Sequence, residues 1–140
     1  MRKLTVDDSK LIFEIRSKCF DDFWPKRDFV EMLSNPLYFG FCTDQGFILC
    51  RKISDEVEII TFAVLAEHRK QGLGRKLLTS VINQCGKGCT IFLEVAENNI
   101  AAKTLYLQLG FIPIAIRKNY YQLSEGTQNA VVMKYKPPFN

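Results

Sequence analysis

Histidine is nearly absent from this chain: His68 is the only one in 140 residues. One imidazole cannot build a metal centre, which needs three or four donors, nor can it alone form a nucleophile–base pair. The five cysteines (Cys19, Cys42, Cys50, Cys85 and Cys89) include no CxxC pair. That pattern disfavours a zinc site and a disulfide framework, and it reads as free, mostly buried thiols in a reducing compartment. No apolar run approaches the ~18 residues of a transmembrane helix. The opening "MRKLTVDDSK" turns polar at once, so no signal peptide is expected and a cytoplasmic location without membrane contact is. Repeats, low-complexity tracts and Pro/Gly/Ser linkers are missing too, which points to one domain over residues 1–140. The net charge of +4 suits an anionic ligand. It is mild for a nucleic-acid binder, and the cations are not interleaved with aromatic rings, so no direct nucleic-acid contact is expected.

What is present alternates in type. Asp7 and Asp8 are candidate caps for a helix with Leu11, Ile12, Ile15, Cys19 and Phe20 on its apolar face. Pro25 suits the first turn of a short second helix ending near Leu33. "YFGFCTDQGFILCRKISDEVEIITFAV" then reads as three strands separated by turns at Asp44–Gly46 and Ser54–Glu56. Beyond Val64 the period changes to that of a helix, with Leu73, Leu77, Leu78, Val81, Ile82 and Cys85 on one face. Gly86-Lys87-Gly88 ends it, and "CTIFLEV" (Cys89 to Val95) is a short strand. A fourth helix through "IAAKTLYLQL" stops at Gly110. A closing antiparallel pair turns at Glu125-Gly126. The expectation is an α/β (mixed α+β) fold with a mostly antiparallel sheet of six to seven strands and about four helices.

Between the third strand and the third helix lies "HRKQGLGRKLL", His68 to Leu78. A helix start leaves four N–H groups unpaired and carries partial positive charge, a natural seat for an anion. Glycines at 72 and 74 clear the approach, and Arg69, Lys70, Arg75 and Lys76 add full charges. The string is not GxxxxGK[ST], and after Gly72 and Gly74 the third position of a GxGxxG fingerprint is Leu77, so neither a P-loop nor a dinucleotide fold is indicated. Spacing alone leaves two readings: a phosphate seat, or a helix start with solvated cations.

Arg69-Lys70-Gln71-Gly72-Leu73-Gly74 has the form R/Q-x-x-G-x-G/A and resembles the acetyl-CoA pyrophosphate signature of the GNAT superfamily of N-acetyltransferases. "IFLEVAENNIAAKTLYLQLGF" resembles that family's second half, and the likeness runs from about Val6 to Lys134. "LEV", Asn99, "LY" at 105–106, "LGF" at 109–111, "RKNYY" at 117–121 and the final "AVVM" are similar to the RimI type. Those enzymes acetylate the N-terminal alanine of a small-subunit ribosomal protein. Two positions depart from that group: Ala96, followed by Glu97, where Arg is common, and Asn129 where Asp is common.

The resemblance implies a GNAT fold and direct attack of an amine on acetyl-CoA in a ternary complex. The acceptor would be a protein N-terminus, no metal would be needed, and the enzyme would be a monomer or weak dimer. It assigns Glu94 as the base, acting through water, and Tyr106 as the acid for the departing thiolate. The cofactor would be held by the strand end at Phe62, Ala63 and Val64, by Arg69, Lys70, Gln71, Gly72, Leu73, Gly74 and Arg75, and by Asn99. Trp24, Arg117, Asn119 and Tyr120 would line the acceptor side, with Lys118 and Tyr121 beside them. Each has a plainer alternative: Glu94 a strand-end carboxylate facing solvent or paired with a lysine, Tyr106 a core aromatic, Asn99 a helix cap, and Trp24 a core or wall residue. Acetylation of lysine or of a small amine, and a non-catalytic acyl-CoA module, are the competing functions.

Overall fold

The computed structural model describes residues 1–123 and 126–137. Its strands are β1 (Arg2–Lys3), β2 (Tyr38–Thr43), β3 (Gly46–Ile53), β4 (Glu56–Val64), β5 (Thr90–Ala96), β6 (Ile112–Leu123) and β7 (Gly126–Tyr135). The helices are α1 (Ser9–Cys19), α2 (Lys26–Leu33), α3 (Leu73–Cys85) and α4 (Ile100–Gln108). The strands form one sheet in the order β1-β2-β3-β4-β5-β7-β6, in which only β4 and β5 run parallel. The expected mixed sheet, its strand count and its four helices are all there. Glu125, half of the expected final turn, lies outside the described residues.

Helices cover both faces because the strands carry apolar side chains on both. Ile12, Ile15 and Phe29 from α1 and α2 pack on Cys42, Phe47, Leu49 and Ala63. On the opposite face, Leu77, Leu78 and Val81 of α3 and Tyr106 of α4 pack on Ile48, Cys50, Val57, Ile59, Ile91, Leu93 and Met133. Asp8, one of the two expected caps, is the N-cap residue of α1, although its side chain makes no cap bond there. Thr5 caps a short 3-10 turn at Val6–Asp8 in a capping box with Asp8, and α1 follows from Ser9.

The feature that shapes the site is a bulge in β4. Cys50 pairs with Ile59 but Leu49 pairs with Thr61, so Ile60 is an extra residue. One extra residue inverts the side-chain alternation. Val57 and Ile59 point to the α3 face before it, whereas Ala63 belongs to the α1 face after it. Pairing of β4 with β5 is confined to Glu56–Glu58 against Thr90–Phe92. Past that point the two strands part.

The cysteine expectation needs correction. Cys85 and Cys89 are paired as a disulfide, their Cα atoms 5.7 Å apart, while Cys19, Cys42 and Cys50 are thiols. The Gly86-Lys87-Gly88 turn between α3 and β5 folds back tightly enough to bring the two ends together, which CxxC spacing rules do not register.

Gly40 shows how closely β2 packs. A Cβ there would lie 2.0 Å from the Ile48 carbonyl oxygen and 2.7 Å from Leu4 Cδ1. Gly40→Ala is expected to cost about 2 kcal/mol or more, a fall of roughly 6–10 °C in Tm at this chain length, read by calorimetric melting.

Candidate active site

The loop after β4 makes the helix start ready for an anion. Lys70 (φ +63°) and Gly72 (φ +83°) both take left-handed backbone, and Gly72 is the N-cap of α3. No side chain caps that end, so the first-turn N–H groups of α3 keep their hydrogen-bonding capacity. A Cβ at Gly72 would meet nothing within 4 Å, and one at Gly74 would touch Phe62 at 3.5 Å. The amides therefore open to space, next to the end of β4.

Two of the expected cations are bonded within the protein. Arg69 Nε donates to the Val64 carbonyl at 2.8 Å, tying the loop to the strand end. The Arg75 guanidinium donates to the Gln108 side chain at the far end of α4. Lys70, Gln71 and Lys76 are exposed around the helix start. Asn99 caps α4, its side chain accepting from the Ala102 N–H at 3.3 Å. That is the simpler of the two roles weighed for it.

Glu94 has apolar neighbours in sequence but not an apolar setting in the fold. Ile91, Leu93 and Val95 face α3, so Glu94 faces the other side of the sheet, with its side chain 28% exposed. There the Arg117 guanidinium donates to the Glu94 carboxylate and stacks over the Tyr120 ring, 4.1 Å from its centroid. Burial first, then the Glu94 charge, pushes the Tyr120 phenol up. The same two causes hold Tyr121 at about 12. Glu94, Arg117, Tyr120 and Tyr121 are thus one cluster.

A second bulge aims that cluster. Arg117 pairs with Ala130 and Tyr121 with Gln128, so Lys118–Tyr120 bow out opposite Asn129 alone. The Asn119 N–H, at φ +55°, donates to Asn129 Oδ1 at 2.9 Å, and Thr127 Oγ1 donates to Asn119 Oδ1 at 2.9 Å. The Asn129 amide approaches Glu97 Oε2 at 3.5 Å. Glu97 and Asn129 therefore belong together. An aspartate at 129 would have no donor to turn toward Glu97 and would set two like charges side by side.

Tyr106 lies on the other face, 7% exposed. It packs between Phe62 and Phe111, with ring centroids 6.4 and 5.7 Å away. Burial is the main cause that drives its phenol well above the ordinary tyrosine range, so the proton stays on it at neutral pH. Tyr106 is a core residue as well as a candidate acid. Glu94 and Tyr106 flank the β4–β5 parting from opposite faces. On the Glu94 face, Trp24 lines a cavity of about 320 Å³ together with Asp28, Glu31, Met32 and Ile60.

Sequence reasoning missed Arg16. It is 5% exposed at the last turn of α1 and bonds to Thr61 of β4 at 3.2 Å. Its spacing carried a signal that its charge masked: Arg16 lies four residues from Ile12 and from Phe20 and three from Cys19, all on the expected apolar face of the helix. Among the described residues no group of His, Cys, Asp and Glu could hold a metal ion.

A parallel strand pair thus parts beside an uncapped glycine helix start, with a carboxylate on one face of the sheet and a phenol on the other. Residues 9–111 match the family described as Acetyltransferase (GNAT) family, and the chain belongs to it. It is an acetyltransferase. It is 38% identical over 137 residues to the Escherichia coli K12 [ribosomal protein bS18]-alanine N-acetyltransferase, covering 93% of this chain and 92% of that one. It is 42% identical over 91 residues, 63% of each chain, to the Haemophilus ducreyi protein of the same name. The crystal structure of the Escherichia coli ribosomal-protein-S18-alanine N-acetyltransferase superposes with TM-score 0.86 at 29% identity, covering 94% of this chain and 89% of that one. Arabidopsis thaliana NAA60 in complex with acetyl-CoA shares the fold, with TM-score 0.80 at 16% identity over 96% of each chain.

The open helix start yields a direct test. Asp and Asn both tolerate left-handed backbone, so Gly72→Asp and Gly72→Asn should fold alike. Calorimetric titration with coenzyme A should show Gly72→Asp weakened at least tenfold relative to Gly72→Asn, because only the carboxylate repels a pyrophosphate.

Proposed function

We propose that this chain transfers the acetyl group of acetyl-CoA to the α-amine of a protein N-terminus. The acceptor in this reading is the N-terminal alanine of ribosomal protein bS18, the substrate in the names of its bacterial relatives. It would act in the cytoplasm, as a single domain and as a monomer or weak dimer. The carrying observation is Glu94 with a cation already on it, Arg117, at the mouth of the β4–β5 parting. A carboxylate that seats a guanidinium in the free enzyme is suited to seat an α-ammonium in its place.

The roles follow from position. The first-turn N–H groups of α3, with Lys70 and Gln71 beside them, would hold the pyrophosphate. The unpaired edge of β4 at Phe62–Val64 offers backbone N–H groups toward the parting, where negative charge develops on the thioester oxygen. Leu73 and Gly74 pack against Phe62 and Val64 and fix the helix start to that edge. Glu94 takes the proton of the attacking amine, directly or through water, and Tyr106 donates one to the departing thiolate. Trp24, Arg117, Asn119 and Tyr120 form the acceptor side.

The preference for an α-amine has an energetic basis. With a pKa near 8, roughly one-tenth of it is neutral at pH 7, whereas lysine at about 10.4 is neutral in only about one part in a few thousand. A partly exposed base paired with a cation suits the easier deprotonation.

Peptide assays test the acceptor. A peptide starting with free alanine should be acetylated at that amine, formylation should abolish the reaction, and an internal lysine should react at least tenfold more slowly; mass spectrometry locates the label. Lysine carrying most of the label at neutral pH would overturn the α-amine reading.

Paired pH–rate profiles separate the two proton-transfer groups. Glu94→Gln should lower kcat by about 10²–10⁴-fold at pH 7 and recover partly as rising pH deprotonates the amine unaided. Tyr106→Phe should lose a similar factor at every pH, since the thiolate still leaves without a proton. Both should bind acetyl-CoA normally. Normal activity of Glu94→Gln across the range would place the base elsewhere.

A further inference from the structure

We propose that Arg16 is a positioning residue for the acceptor. Through Trp24 it sets which N-terminal side chain the site accepts. This rests on the acetyl-transfer reading above and adds a residue to it.

Arg16 joins three parts of the fold with one side chain. Its Nε donates to Thr61 Oγ1 of β4 at 3.2 Å, the first residue past the Ile60 bulge. Its Nη1 and Nη2 donate to the backbone carbonyl and the carboxylate of Asp22, at 3.3 and 3.2 Å. Its guanidinium plane lies over the Trp24 ring at 3.7 Å and near the Phe20 ring at 4.5 Å. The Trp24 indole is held at its other end, where Nε1 donates to Asp22 Oδ2 at 3.0 Å. The indole is therefore clamped by stacking and by a shared carboxylate.

Trp24 and Ile60 line the same cavity. By register, Glu58 lies beside Phe92, so Ile60 and Glu94 each stand two residues further along, on the two sides of the parting. The clamped indole thus forms a fixed wall beside the place where the acceptor's first residue would lie. Only arginine offers donors in a rigid plane to a hydroxyl, a carbonyl and a carboxylate while stacking on a ring; lysine has neither the plane nor the fork. Burying a charge is a poor source of net stability, so the network is better understood as orientation.

The test uses Arg16→Lys and, as a gentler cut of the same network, Thr61→Val. For each, kcat/KM is measured on two peptides that differ only in starting with alanine or leucine. The expected result is a rise of about tenfold in peptide KM and a fall of several-fold in the alanine-to-leucine ratio, within the range that pocket shape controls. Affinity for coenzyme A should be unchanged. Trp24 is the sole tryptophan, so its emission should become more accessible to acrylamide in both variants. A purely structural role would lower both peptides equally, and an unchanged ratio in folded protein overturns the proposal. If the wild type prefers lysine, the α-amine reading fails separately. The ratio is then read on lysine peptides with small or large neighbouring side chains, where an unchanged value still overturns the role of Arg16.

Discussion

One missing set of hydrogen bonds organises this protein. Strands β4 and β5 pair over Glu56–Glu58 and then separate, because Ile60 inserts an extra residue and bends β4 away. Backbone donors inside a sheet are ordinarily consumed by the neighbouring strand. Here the donors along Phe62–Val64 that point away from β3 have no β5 partner. The crossover through α3 then sets an uncapped helix start beside the freed edge. The proposed binding and reaction surfaces share that interruption.

The two faces divide the electrostatic work. On the α1 side, Glu94 sits among Arg117, Tyr120 and Tyr121 with partial access to water, a setting for charges that come and go. On the α3 side, Tyr106 is enclosed by Phe62 and Phe111, where an ionised phenol is disfavoured. The roles proposed for Glu94 and Tyr106, a base that meets a cation and an acid that keeps its proton, call for opposite surroundings. A sheet with a local opening supplies both within one small domain.

Much of this was legible in the sequence. Period-2 and period-3.6 patterning located the helices and the long strands, because each buries a regular face; the two-residue β1, exposed at both positions, has no such pattern and was not foreseen. The Gly72/Gly74 helix start was legible because glycine there has a stereochemical reason. The bulge at Ile60 was not, since "EIITF" reads as unbroken β-sequence and only pairing with β3 reveals the extra residue. An ion pair at Glu94 was one of the alternatives, with lysine as the partner; that the partner is Arg117 was hidden, because it lies 23 residues away in sequence. Arg16 looked like one more surface cation, and its burial depends on where the loop through Asp22 and Trp24 folds. Cys85 and Cys89 were misjudged because a turn's curvature, not their spacing, decides whether two sulfurs meet.

The outermost strand carries a consequence for solubility. β6 leaves Ile112, Ile114 and Ile116 exposed at 56, 48 and 59% on the open edge of the sheet. Exposed apolar side chains along an open strand edge are a template for a foreign strand, and hence for aggregation. Pro113 lacks the N–H that such pairing would use, and register breaks at Pro113/Ala115 and Arg117/Tyr121 interrupt the ladder twice within the strand. The distortion that points Tyr120 toward Glu94 also leaves the edge too irregular for another chain to zip onto.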